Sequence, residues 1–197
     1  MAFWMYRIIG RWFRERRLAW VQERFSSCRT VIDLGGTREF WEDAHFDKTI
    51  TLLNVAEPKA PVCGNLQILQ GDGCHTNLPD QAFDLAFSNS AIEHVGAPER
   101  QRQFAGELLR LAPHLYCQTP NRWFPVEPHY LGLFLHWLPE RWRGGVLHRW
   151  TTLNGLRRRP YEPVRLLNRN EFAALFPGCT IETERFLGLA KSFIAWK

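Results

Sequence analysis

Thr30-Val31-Ile32-Asp33-Leu34-Gly35-Gly36-Thr37-Arg38-Glu39-Phe40 is the stretch that decides the fold. Val31, Ile32 and Leu34 form a short β-branched and aliphatic run stopped at once by two glycines, which reads as a buried strand ending in a tight turn. A helical pattern with acidic residues early follows, so the unit is strand, glycine turn, helix. In an open parallel sheet such a unit leaves backbone N–H groups facing a crevice at the carboxyl end of the strand, where a ligand can sit. Asp33 is the odd residue in an otherwise apolar strand. A buried carboxylate needs partners, so Asp33 either holds the glycine turn by accepting its N–H groups or faces the ligand.

Working outward, Glu39 to His45 read as a short helix and Ile50 to Val55 as a second strand. Gln67 to Gln70 give a third strand that ends at Gly71-Asp72-Gly73, Phe83 to Ser88 a fourth, and Leu115 to Thr119 a fifth that stops at Pro120. A Glu-, Arg- and Gln-rich helix spans about 98–111. Strands alternating with helices at this spacing predict a parallel α/β sheet, because each crossover needs a helix to cover a face. Asn170 to Phe176 resembles a short helix capped by Asn168 or Asn170, and Thr180–Phe186 and Ala190–Trp196 read as two further strands.

The 197 residues suffice for one domain with a real core. Within it, 1–27 read as a basic amphipathic helix, 28–121 as a ligand-binding core, 122–168 as a cap or substrate insertion rich in Arg and Trp, and 169–197 as a closing helix and strands. The net charge of +5 is unevenly spread: residues 28–121 carry −5, while 1–27 and 122–168 carry +4 and +5. Seven of the nine Trp lie in those two basic segments, and Arg with Trp suits an anionic or amphiphilic partner. No run of about 18 uncharged apolar residues exists to span a membrane, and five arginines interrupt the apolar start before a secretory signal could form. The five scattered cysteines, without zinc spacing, read as reduced thiols. The expected location is cytoplasmic, with peripheral attachment to the inner face of a membrane as an option.

Residues 3–25 place Trp4, Ile8 and Trp12 four residues apart, with Arg7, Arg11, Arg14 and Arg17 as a separate basic stripe. Such a helix either packs its apolar face on the domain or lids its crevice, or it lies on an anionic membrane surface.

Taken in order, these pieces resemble a class I S-adenosylmethionine-dependent methyltransferase of the "type 11" group. Val31-Ile32-Asp33-Leu34-Gly35-Gly36 resembles the group's first motif, departing from it where Thr37 and Glu39 stand for later glycines. The strongest match is Leu78-Pro79-Asp80-Gln81-Ala82-Phe83-Asp84-Leu85-Ala86-Phe87-Ser88-Asn89 followed by Ile92-Glu93-His94-Val95; Gln118-Thr119-Pro120-Asn121 resembles the fifth-strand ending. The resemblance implies a Rossmann-like, seven-stranded mixed sheet with helices on both faces, its last strand antiparallel, and S-adenosylmethionine as cofactor. By the same resemblance, Asp33, Gly35, Gly36 and Thr37 form the cofactor turn. Asn54 and Val55 take the ribose side, with Asn54 where an acid is usual, and Asp72 and Gly73 the adenine side. Asn89, Ser90 and Glu93 line the post-strand lip.

Methyl transfer to a hydroxyl needs a base to remove a proton near neutral pH. His94, following the fourth strand, is the leading candidate, or else a helix-start residue bonded to nearby backbone. Glu93 contacts cofactor or acceptor, or favours a helix N-terminus. Glu127 and His129 lie on a proline-stiffened loop beyond the fifth strand, where they could bind the acceptor or assist proton removal; no short ligand spacing enforces a metal. Asp84 reads as an anchor at its strand's edge. The acceptor expected is a small molecule or a lipid-linked one, methylated at oxygen. A methyltransferase acting on RNA, with Arg157-Arg158-Arg159 as its basic patch, is the weaker rival, and a non-catalytic binding protein is the third class.

Overall fold

A computed structural model describes residues 2–42, 47–55, 64–126, 133–139, 141–142, 145–146, 149 and 164–197. Its order is α1 (Ala2–Arg24), β1 (Thr30–Leu34), α2 (Arg38–Glu42), β2 (Thr49–Asn54), β3 (Leu66–Gln70), β4 (Leu85–Asn89), α3 (Pro98–Leu111), β5 (His114–Pro120), α4 (Arg169–Leu175), β6 (Thr180–Phe186) and β7 (Leu189–Trp196). The strands form one seven-stranded sheet in the order β3-β2-β1-β4-β5-β7-β6, with β7 antiparallel to both neighbours and the other pairings parallel. The order reverses between β1 and β4, so the crevice expected beyond the glycine turn falls at the topological switch point.

Strand alternation divides the core between the two faces. Val31, Ile50, Leu52, Leu85, Phe87, Tyr116 and Ile194 share one layer with Leu18, Val21 and Phe25 and with Phe40 and Trp41 of α2. Ile32, Leu34, Leu53, Ala86, Leu115, Cys117 and Phe193 share the other with Phe104, Leu108 and Leu111 of α3 and Phe172 of α4. The stacked rings of Phe87 and Tyr116, 4.9 Å apart and 7° from parallel, fill the first layer. Helices therefore cover both faces, as expected.

From Gly10 onward α1 packs on the sheet, burying Phe13, Leu18 and Val21, while Arg11, Trp12, Arg14 and Arg16 stay exposed. Lys48 Nζ closes the end of this segment by donating to the carbonyls of Phe25 (2.7 Å) and Cys28 (2.5 Å). Arg17 corrects the expected basic stripe: it is 8% exposed, on the face of Phe13 and Val21, because a spacing of four places all three together. None of the helices among the described residues is long and apolar enough to cross a membrane.

β4 starts two residues later than expected, at Leu85. The Asp84 carboxylate instead takes the backbone N–H groups of Arg29 (2.7 Å) and Thr30 (2.9 Å) and the Thr30 hydroxyl (3.0 Å). These donors, the Arg29 N–H first, hold the Asp84 carboxyl below its ordinary range and clasp β1 to β4 at the end opposite the crevice. α4 begins at a capping box in which Asn168 and Glu171 exchange bonds, so Asn168 is the cap. The predicted α2 segment beyond Glu42 falls outside the described residues, as does most of the 122–168 cap. In the described part of that cap, Trp123, Trp137 and Trp142 are exposed, and the Trp137 indole donates to the Arg122 carbonyl at 2.8 Å.

Candidate active site

The glycine turn sits directly on Asp33. A Cβ added at Gly36 would lie 1.9 Å from Asp33 Oδ2, so only glycine fits above that carboxylate. Gly35 has φ +76°, donates its N–H to the Leu53 carbonyl at 2.8 Å, and packs so closely on the loop after β4 that an added Cβ would come within 2.6 Å of Ala91 Cβ. The turn is thus wedged between the ends of β1, β2 and β4. Ser88 fastens the same junction from below, its hydroxyl donating to the Leu34 carbonyl at 3.0 Å. Thr37, one of the two departures from the resembled glycine motif, is exposed.

Asp33 is 1% exposed. One of its oxygens accepts the Trp41 indole N–H at 2.7 Å, and the other, Oδ1, has no hydrogen-bond partner among the described residues. Of the two readings of this residue, the first therefore changes form: the turn rests on the carboxylate by close packing, and the donor is Trp41. Burial pushes the Asp33 carboxyl up to about 7, with the Trp41 bond opposing. The folded state then holds a proton that the unfolded state releases near 3.8, so stability falls as pH rises from about 4 to 7. The difference in unfolding free energy between Asp33→Asn and wild type is expected to grow in favour of the variant by about 1.4 kcal/mol per pH unit across that window. Denaturant titrations at pH 4.5, 6 and 7.5 measure it; parallel curves would show that Asp33 stays ionised.

The other expected contacts are met unevenly. Asn54 Nδ2 donates to the Gly36 carbonyl at 3.2 Å, so the end of β2 holds the turn, and the next residue, Val55, is 69% exposed beside it. Asp72 accepts the Cys74 N–H at 2.9 Å and pairs through both oxygens with Arg100 (2.9 and 3.0 Å), interactions that hold its carboxyl low, the Cys74 bond contributing most. Gly73 is required by packing, since a Cβ there would reach 2.8 Å from the Phe104 ring. Asn89 turns toward α1 and Ser90 toward β5: Asn89 Oδ1 accepts from Arg17 at 3.0 Å, and the Ser90 hydroxyl donates to Gln118 Oε1 at 2.7 Å. Glu93, expected at cofactor or acceptor or at a helix start, lies in the first turn of the short 3₁₀ segment Ile92–His94. It is fully buried, accepting the Thr119 hydroxyl at 3.0 Å, and acts as a strut between β5 and the short 3₁₀ turn Ile92–His94. His94 ends that turn, exposed, with its N–H on the Ala91 carbonyl at 2.9 Å. Glu127 and His129 lie outside the described residues.

Arg17 is the functional-site residue that the sequence reading misplaced. Its guanidinium donates to both oxygens of Glu184 (3.0 and 2.5 Å), to Asn89 (3.0 Å) and to Gln118 (3.1 Å), tying α1 to the carboxyl ends of β4 and β5 and to β6. Burial works against its charge, and Glu184 more than restores it.

Residues 39–113 match the family model described as "Methyltransferase domain". Over those 75 of its 197 residues the chain is similar to a methyltransferase domain. An uncharacterized protein of Mycobacterium tuberculosis (strain H37Rv) is 32% identical over 53 residues, which cover 27% of this chain; the match spans 18% of that relative's length. Among solved structures, 1,6-didemethyltoxoflavin-N1-methyltransferase of Burkholderia thailandensis, with 1,6-didemethyltoxoflavin and S-adenosylhomocysteine bound, superposes with TM-score 0.60 at 12% identity, covering 93% of this chain and 76% of that one. The PH0226 protein of Pyrococcus horikoshii gives TM-score 0.60 at 13% identity, covering 95% and 90%. A Rhodobacter sphaeroides protein named as a candidate Zn-dependent alcohol dehydrogenase also gives 0.60, at 15% identity over 92% and 87%. At such identities the superpositions speak for the fold alone, and the domain match speaks for residues 39–113.

Proposed function

We propose that this chain transfers the methyl group of S-adenosylmethionine to an oxygen of a small-molecule or lipid-linked acceptor. The observation that carries the reading is the Gly35-Gly36 turn seated on a buried carboxylate with one unpartnered oxygen, at the switch point of the sheet. A cationic cofactor suits that place: positive charge above the turn would draw the buried Asp33 carboxyl toward its ionised form, and Gly35 and Gly36 let the turn pack down on Asp33 and Ala91 at the head of the crevice. Asn54 and Val55 stand at the end of β2 for the ribose side, and Asp72 and Gly73 at the end of β3 for the adenine side. When bound, S-adenosylmethionine supplies a sulfonium-activated methyl group. The protein's own work is to fix the acceptor in line, keep water out, and take a proton from the acceptor hydroxyl, a role we give to the exposed imidazole of His94. Glu127 and His129 are proposed to assist on the acceptor side.

Calorimetry with S-adenosylhomocysteine tests this. Wild type is expected to bind it, and Asp72→Ala to bind about tenfold more weakly or worse, the loss of one good polar contact. Arg100→Ala, which frees Asp72 from its ion pair, is expected to stay within about threefold of wild type. Absence of binding by the wild type would sink the proposal. Equal losses in the two variants would mean that Asp72 serves Arg100 and not the adenine.

A further inference from the structure

Beside the glycine turn, on the other flank of β4, a recess of about 140 Å³ opens between α1, β5 and β7. Ser90 belongs to its lining, and the next residue, Ala91, is the one that Gly35 abuts, so recess and turn meet across residues 90 and 91. Phe13 from α1 and Phe124 and Val126 from beyond β5 give it apolar walls. Its polar end is Arg17 with Lys191.

Of the two cations at that end, Lys191 is the less closely partnered. The Glu184 carboxylate is taken in bidentate fashion by Arg17, and its Oε2 also accepts the Ser192 hydroxyl. Lys191 Nζ reaches that same oxygen only at 3.4 Å and otherwise lies 4.0 Å from the centre of the Phe13 ring. Lys191 is one-fifth exposed and Arg17 and Glu184 less so. Two cations, from α1 and β7, therefore share the Glu184 carboxylate of β6 in a poorly solvated place, with the buried Glu93 acting on Arg17 from further off. The cost is visible on Lys191, whose ammonium is pushed down to about 8 by burial and by Arg17, against the pull of Glu184. Lys191 is thus left with one long contact to an oxygen that Arg17 and Ser192 already occupy, and an anion entering the recess would give it a closer partner.

We propose that this recess is the acceptor pocket and that it selects a small single-ring organic anion, whose carboxylate or phenolate oxygen pairs with Lys191 while its ring lies against Phe13 and Phe124. The volume agrees, since an apolar cavity of about 150 Å³ holds one benzene ring. A site built for a charged oxygen also discriminates against neutral isosteres. The assignment as an acceptor pocket rests on the methyltransferase reading above; anion binding in the recess does not.

Calorimetry without cofactor, using benzoate and its neutral isostere benzyl alcohol as probes, tests the two separately. Wild type is expected to bind benzoate at least tenfold more tightly than benzyl alcohol. Lys191→Met is expected to abolish that preference while keeping affinity for S-adenosylhomocysteine, with Lys191→Gln as a second variant should the first melt early. Equal affinities in wild type, no binding of either probe, or a preference that survives both substitutions would each overturn the pocket. A preference for benzoate in a protein that ignores S-adenosylhomocysteine would overturn the acceptor role and leave an anion site. Binding of S-adenosylhomocysteine without any benzoate preference would remove the pocket and leave the methyltransferase.

Discussion

Arg17→Met is expected to cost about 3–5 kcal/mol of stability, the range for removing one partner of a buried ion pair. The substitution keeps volume and helix propensity, so the loss would be electrostatic. Glu184, 11% exposed, would keep only the distant Lys191 and the Ser192 hydroxyl, while Asn89 and Gln118 would each lose a donor. For a chain of this size the change corresponds to a melting temperature lower by roughly 10 °C. Its pH dependence is also defined. The Glu184 carboxyl is held below its usual 4.5, burial opposing and Arg17 prevailing. The pair's contribution is therefore fully present above about 4.5 and shrinks as pH falls through the lower folded value. The gap between wild type and variant should narrow in acid. A gap of under 1 kcal/mol at pH 7 would show that Arg17 is not the fastening between α1 and the sheet.

Gly36→Ala is the second large effect. The new methyl would overlap the Asp33 carboxylate, with contacts of 1.9, 2.2 and 2.7 Å to Oδ2, Cγ and Oδ1. Asp33 cannot swing aside cheaply, because it is buried and held by Trp41. We expect a loss of about 3 kcal/mol, at the upper end of overpacking costs, together with loss of S-adenosylhomocysteine binding. A double-mutant cycle isolates the cause. In an Asp33→Ala background the same glycine substitution should cost under about 1 kcal/mol, because contacting residues couple. If the two penalties simply add, the clash is not with Asp33.

Local patterning along the chain makes much of this architecture legible before any coordinates. Val31-Ile32-Asp33-Leu34-Gly35-Gly36 announces strand and turn because β-propensity and glycine punctuation act within a few residues. The β6–β7 pair is readable for the same reason, although its turn uses Leu187 at φ +49° before Gly188 at φ +80°, a choice no pattern would single out. Juxtapositions across the sheet leave no such trace. Arg17 meets Glu184 across 167 positions, and Gln118 across 101, so its burial comes from packing rather than from its neighbours. Only its spacing from Phe13 and Val21 hints at the inward face. Glu93 and Asn89 show the same limit. Their place at and after the end of β4 is plain from the motif, but where they turn depends on partners far along the chain, Arg17 of α1 for Asn89 and Thr119 of β5 for Glu93.

The Arg17–Glu184 clasp also bears on how the polypeptide is made. At about 5–20 residues per second, a ribosome needs roughly ten to thirty seconds to pass from one partner to the other. During that interval Phe13, Leu18 and Val21 have most of the first layer to settle on, but the guanidinium beside them has no carboxylate to receive it. The acceptor recess is consequently among the last features to take shape during synthesis, and a nascent chain stalled before β6 would present α1 as a loosely docked basic helix.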